Sequence, residues 1–191
     1  MRKPKRIIGA IGIVLVLCLL LIAAMLIYRQ WKMPVSTEAY VQRLRNCIPE
    51  SQGSALEERR DNTMPVFSLD GVDFVGILEI PRYDSAQPVC ATWGSRYAFP
   101  CRSGGSIYTR TLQIGGTSQK GQYDFFREIS VGDAVYFTDM EGNRYSFTVS
   151  DLRYEKRADQ AALQRNDVPL TLFIKNVYAF EYLIVFCDIA Q

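Results

Sequence analysis

Leu170-Thr171-Leu172-Phe173-Ile174-Lys175, followed by Asn176 and then by a stretch ending in the apolar run Leu183-Ile184-Val185-Phe186-Cys187, is the part of the chain on which the fold reading turns. The chain around it is punctuated as strands. Segments at 73–80, 134–138 and 145–149 are short, rich in Val, Ile, Phe and Tyr, and partly alternate apolar with polar residues, the pattern of half-buried strands. Glu141-Gly142-Asn143 gives a glycine-containing connection between the last two, which is a hairpin signal. An all-β barrel with short helices follows from this punctuation, and a closed barrel leaves a water-facing domain without exposed sheet edges. The exception is 158–165, where Asp159, Ala161, Ala162, Leu163 and Gln164 suggest one or two helical turns before Pro169.

The other end of the chain has a different character. Residues 7–27 carry no charge, and at ~1.5 Å rise per residue such a run crosses a ~30 Å hydrocarbon layer as a helix. It is longer than the ~7–15-residue apolar region of a cleavable signal, so a retained anchor is expected. Arg2, Lys3, Lys5 and Arg6 precede it, against Arg29 and Lys32 just beyond. This bias puts the amino terminus inside and the folded part outside the cell. In 36–46, Ala39, Tyr40 and Leu44 recur at helical spacing with Glu38 near the start, and 49–63 reads as a solvated linker. The expected organisation is a cytoplasmic basic tail at 1–6, a transmembrane anchor at 7–28, a juxtamembrane helix and linker at 29–64, and a β-barrel domain at 65–191.

The formal net charge is +2 and the basic residues are scattered, so no nucleic-acid partner is expected. Besides Cys18 in the apolar run, the cysteines are Cys47, Cys90, Cys101 and Cys187. Export permits disulfides, and these four allow three complete pairings among which the sequence does not choose. Buried free thiols are the other reading. No Cys-x-x-Cys pattern occurs and the chain has no histidine, so neither a zinc site nor any other cofactor is expected.

Several ordered motifs carry a resemblance. Val75-Gly76-Ile77-Leu78-Glu79-Ile80-Pro81, Pro100-Cys101-Arg102-Ser103-Gly104-Gly105-Ser106, Leu112-Gln113-Ile114-Gly115-Gly116-Thr117-Ser118, and the Gly132-Asp133 strand running to the Glu141-Gly142-Asn143 hairpin stand in a fixed order before Leu170–Lys175. Together they resemble the sortases, cysteine transpeptidases of Gram-positive cell surfaces, over residues 75–187. The resemblance implies a closed sortase-type β-barrel, with a catalytic histidine, cysteine and arginine at the positions held here by Thr117, Lys175 and Tyr182. Tyr182 lies seven residues beyond Lys175.

Transpeptidation by such a triad needs a thiolate nucleophile, a proton donor for the leaving amine and a positive donor for the oxyanion. Lysine is ordinarily a hydrated ammonium with a reference pKa of about 10.4. Tyrosine lacks the fork and fixed charge of a guanidinium. Loss of single members of such sets costs factors of thousands or more. The expected reading is therefore a protein with no catalytic residues of the family kind. It would be a binding or regulatory module at the cell surface, taking a surface-protein peptide, a pilin-like protein or an active sortase in the old substrate groove. The rival is an enzyme of altered chemistry, with Thr117 as hydroxyl nucleophile and Lys175 as its base. Among the neighbouring residues, Gly115-Gly116 is expected as a tight strand-end turn with Thr117 in it, and Gly132-Asp133 as a turn into a strand. The Lys175 amine is expected in solvent or against Asp124 or Glu181. Trp93, Tyr97 and Phe99 are expected in the core rather than lining a groove. Tyr178, Phe180 and Tyr182 are candidates to fill or roof the cleft.

Overall fold

The computed structural model describes residues 4–50, 63–94, 99–159 and 168–190, and their side chains except at 4–13 and 29–36. Helix α1 (Pro4–Cys47) is followed by strands β1 (Phe67–Leu69), β2 (Val72–Ile80), β3 (Ser85–Cys90), β4 (Cys101–Gly104), β5 (Leu112–Thr117), β6 (Ala134–Asp139), β7 (Arg144–Glu155), β8 (Leu170–Lys175) and β9 (Tyr182–Ile189). The sheet runs β1-β2-β3-β4-β5-β8-β9-β7-β6, and β6 returns to pair with β2. That last pairing, Gly76↔Asp139 through Glu79↔Tyr136, closes an eight-stranded barrel, with β1 added to β2 as a short hairpin. The β3–β4 and β5–β8 pairs are parallel and the other pairs antiparallel.

Alternation along the strands decides what lies inside. Leu112 and Ile114 of β5, Leu170, Leu172 and Ile174 of β8, and Leu183, Val185 and Cys187 of β9 all join the barrel interior. The intervening residues point to the outer surface, as a two-residue side-chain period requires. Closure is tightest at Gly76, where a Cβ would sit 2.4 Å from the Thr138 carbonyl oxygen and 2.5 Å from the Phe137 ring. The expected hairpin is present between β6 and β7, with Gly142 at φ 87°. The buried Asp139 carboxylate organises it. It accepts from the backbone N–H of Glu141 and Asn143, from Asn143 Nδ2, and from the Tyr108 and Tyr145 hydroxyls, all within 2.9–3.1 Å. A buried charge with this many donors is well satisfied. β7 runs to Glu155, beyond the expected 145–149, because its second half pairs with β9.

The helix expected over 36–46 is instead the last part of α1, which continues unbroken to Cys47. Its buried face is Thr37, Val41 and Leu44, while Ala39, which the sequence pattern placed on that face, is exposed. Val41 and Leu44 pack on the outer side of β2, β3 and β4, against Phe74, Ile77, Cys90, Phe99 and Cys101. The Tyr40 ring lies 5.0 Å from that of Phe99 and 5.9 Å from that of Phe74. Arg43 makes a two-pronged ion pair with Asp70 at 2.5 and 3.0 Å, and Glu79 is held between Arg45 and Arg144, each at 2.6 Å. Ion pairs this exposed add little; the apolar contacts hold the helix.

Large apolar side chains at 14–28 are exposed, and among the described residues no helix is long and apolar enough to cross a membrane. The first seven side chains of the expected span at 7–27 lie outside the described ones, as do most of the expected linker at 49–63 and of the helical turns at 158–165.

Gly132-Asp133 forms the expected turn, with Gly132 at φ 96°. Asp133 is buried and takes Arg82 at 2.6 Å, the Tyr83 hydroxyl at 2.9 Å and the Ser130 N–H at 2.9 Å. Burial pushes its carboxyl up, but the Arg82, Ser130 and Tyr83 donors outweigh burial and hold it below the ordinary aspartate range. Burial first, then the bond to Asp133, raises the Tyr83 hydroxyl to about 12.

Two outcomes follow. Leu44→Ala is expected to cost about 2–5 kcal/mol of stability in chemical denaturation, since it opens a cavity under a fully buried side chain; a loss below ~0.5 kcal/mol would show that α1 does not pack here. Asp133 contributes stability that is present above its unfolded-state value of about 3.9 and disappears as pH falls through its lower folded value. Asp133→Asn should therefore flatten the fall in unfolding free energy below about pH 4. An unchanged acid slope would rule this out.

Candidate functional site

The outer surface of β5, β8 and β9 is built in register rows. Gly115 pairs with Phe173 and Phe173 with Ile184; one step further along, Thr117 pairs with Lys175 and Lys175 with Tyr182. The three positions singled out in the sequence thus form one row across three neighbouring strands. Residues directly opposite on adjacent strands share a face with Cβ atoms about 4.5–5.5 Å apart. Their chain separation is bridged by the parallel β5–β8 pairing and the antiparallel β8–β9 turn.

Each member of the row has its own surroundings. Thr117 ends β5, and both its N–H and its hydroxyl donate to Gln122 Oε1, at 2.9 and 3.1 Å. Lys175 ends β8 with its side chain exposed and with no carboxylate at ion-pair distance among the described residues; Asp124 and Glu181 are not its partners. Glu181 instead accepts from Asn176 Nδ2 at 2.9 Å. Tyr182 is half-buried against Val168, Phe173, Ile184 and Phe186, a small apolar cluster on the outside of the barrel.

The turn between β8 and β9 is braced by Asn176, whose N–H donates to the Glu181 carbonyl at 3.0 Å and whose Oδ1 accepts from the Tyr178 N–H at 3.0 Å. Ser118 ties it to β5: the Ser118 N–H donates to the Lys175 carbonyl and the Ser118 hydroxyl accepts from the Val177 N–H, both at 3.0 Å. This turn presents Tyr178 and Phe180 to solvent, 81% and 100% exposed. They do not fill the face beside Lys175; only Tyr182 of that aromatic trio packs down.

Gly115 and Gly116 are not a turn. They lie within β5, buried, at ordinary extended φ, and each is required by a close approach. A Cβ on Gly115 would stand 2.2 Å from both the Phe173 ring and the Trp93 ring, and one on Gly116 2.4 Å from the buried Tyr123 ring. Trp93, 54% exposed, leans over the outer face with its ring 5.2 Å from Phe173. Phe99 is in the core as expected, and Tyr97 lies outside the described residues. Gln122 carries the hydrogen bonds of Thr117 yet nothing in the sequence marked it, because its role is a contact made across a loop.

A thiol, an imidazole and a guanidinium are all missing from the row. Cys187 is no substitute: it lies inside the barrel, and burial pushes its thiol well above the ordinary cysteine range. A cavity of about 430 Å³ opens elsewhere, between the end of α1 and the segments around Tyr83 and Gln122; none of its walls belongs to the row.

No family model matches the sequence, and no curated protein is similar to it. Solved structures are. The protein has the sortase-type β-barrel fold. Sortase A from Listeria monocytogenes superposes with a TM-score of 0.54 at 16% identity, over 62% of this chain and 88% of that one. Sortase A from Corynebacterium diphtheriae gives 0.54 at 15% identity, over 85% and 84%. Sortase C from Clostridium perfringens SM101 gives 0.53 at 15%, over 69% and 78%. At these identities the likeness is one of fold.

Gly115→Ala tests the outer face directly. The added methyl must displace Trp93 or Phe173, which is expected to cost about 1–3 kcal/mol and to shift tryptophan emission. A variant with wild-type stability and spectrum would show that Trp93 does not rest on β5.

Proposed function

We propose that this protein is a non-catalytic, membrane-anchored module of sortase fold that holds an extended peptide segment, from a surface protein, a pilin-like protein or an active sortase, on the outer face of β5, β8 and β9. The reading rests on one observation: Thr117, Lys175 and Tyr182 share a row where the resemblance requires histidine, cysteine and arginine. The row supplies hydrogen-bonding groups and one cation but no nucleophile–acid pair. The exposed rings of Trp93, Tyr178 and Phe180 add apolar contact beside it. The uncharged run at 7–27, with basic residues concentrated before it, supports the anchor and the outward-facing barrel.

Chemistry by Thr117 and Lys175 is disfavoured by the hydrogen bonding. A lysine base needs a desolvated site and a hydroxyl that donates to it. Here the threonine hydroxyl donates to Gln122 and the lysine stands in water.

The test uses the full chain in detergent micelles with a panel of labelled, extended sorting-signal peptides. Binding is expected to change Trp93 emission without cleavage or ligation above a buffer blank, and Trp93→Ala is expected to weaken it roughly tenfold or more, the scale of an aromatic contact residue. Turnover of any peptide, or absence of binding across the panel, overturns the proposal.

A further inference from the structure

Cys90 ends β3 and Cys101 begins β4, and they are the single register pair joining these two strands. One further backbone bond spans the seam, from the Cys90 N–H to the Pro100 carbonyl at 2.9 Å. Among the described residues every other neighbouring strand pair in the barrel has three or more register pairs, so this is its thinnest join there. Cys101 also pairs with Gly115 on its other side, which continues the row to Phe173 and Ile184 on the candidate peptide-binding face.

Both thiols are buried on the outer side of the barrel, beneath Val41 and Leu44 of α1 and beside Phe74, Ile77 and Phe99. Neighbouring strands lie about 4.8 Å apart, within the roughly 4.4–6.8 Å Cα separation that a disulfide spans. The Cys101 thiol donates to the Phe99 carbonyl at 3.4 Å, and the two cysteine side chains stand at paired register positions on the same face. The remaining cysteines are elsewhere: Cys18 and Cys47 are exposed on α1, and Cys187 is inside the barrel. Of the three complete pairings left open by the sequence, only one joins Cys90 to Cys101, the two cysteines that the fold sets at paired register positions on one face.

We propose that Cys90 and Cys101 are a redox site that closes to a disulfide under oxidising conditions and staples β3 to β4. The oxidant is a disulfide compound, small or protein-borne. The Cys101 thiolate attacks one of its sulfurs, breaking the donor S–S bond and releasing one donor thiolate, which takes up the Cys101 proton. Cys90, losing its own proton to the second donor sulfur, then attacks Cys101 Sγ of the mixed disulfide and expels that sulfur as a thiol. Two cysteine thiols are oxidised and one donor disulfide is reduced to two thiols. The order of attack follows from the interaction of the two neighbouring buried thiols, which lowers the Cys101 thiol and raises Cys90. A seam held by one register pair is the place where local opening gives the oxidant access.

This site does not depend on the function proposed above, because its test reads bond formation and stability. The full chain, purified in detergent, is incubated with oxidised glutathione, denatured without reductant and alkylated. Three of the five cysteines are expected to label, with peptide mapping joining Cys90 to Cys101. Thermal unfolding of the oxidised protein should lie roughly 6–12 °C above that of the reduced protein, the effect of closing a short loop in a chain of this size. Cys101→Ser should abolish that difference. Labelling of all five, a stable glutathione adduct in place of the internal bond, or a bond through another cysteine overturns the proposal. The wild-type labelling decides it even if Cys101→Ser fails to fold.

Discussion

The parallel pairing of β5 with β8 is the constraint on which the rest of the molecule depends. Parallel neighbours cannot be joined by a tight turn, so the chain between them must travel, and here it makes the loop after Thr117 and the long β6–β7 hairpin before returning. That excursion supplies the strand that closes the barrel on β2. The register from Leu112↔Leu170 to Thr117↔Lys175 also sorts side chains: even-numbered residues of both strands face the barrel core and odd-numbered ones face outward. A slip of one residue would put Lys175 inside and Ile174 in water, so the apolar interior fixes the outer row as firmly as it fixes itself.

Because the scaffold is held from inside, its outer row is free to change chemistry. Thr117, Lys175 and Tyr182 contribute nothing to the interior cluster; Lys175 stands in solvent, and Tyr182 packs on the outside with Phe173, Ile184 and Phe186. Exchanging reactive groups at such positions leaves the burial that stabilises the barrel intact. Fold and chemistry separate here along the two faces of one sheet, which is why a sortase-type barrel is not by itself evidence of transpeptidation.

Most of the barrel was legible from residue patterns, because strand alternation and turn chemistry are local. The β6–β7 hairpin announces itself through Gly142, the turn before β6 through Gly132-Asp133, and the row through motif order around Thr117 and Lys175. What failed was any feature set by a distant contact. Gly115-Gly116 reads as a turn because glycine pairs often are; only the approach of Trp93, Phe173 and Tyr123 shows that missing side chains, not backbone freedom, is the reason for them. The buried face of α1 was assigned one residue out of phase at Ala39, since the docking partners Phe74 and Phe99 lie far along the chain. The Cys90–Cys101 contact was hidden for the same reason, as spacing alone does not determine which cysteines share a seam.

The barrel has two apolar outer patches, and both are buried. Over β2, β3 and β4 the patch is covered by Val41 and Leu44 of α1 and buried completely. Over β8 and β9 Val168, Phe173, Ile184 and Phe186 are buried as well, with the half-exposed Trp93 ring against Phe173, while the adjoining turn holds Phe180 fully in water. Leaving such rings in solvent forgoes burial worth roughly 1.5–3 kcal/mol for a phenylalanine. The turn that carries them is not loose: Asn176, Glu181 and Ser118 fix its backbone with five hydrogen bonds of 2.9–3.0 Å. A braced turn displaying uncovered aromatic side chains next to the register row does not seal the face beside Lys175, since sealing needs the rings turned inward.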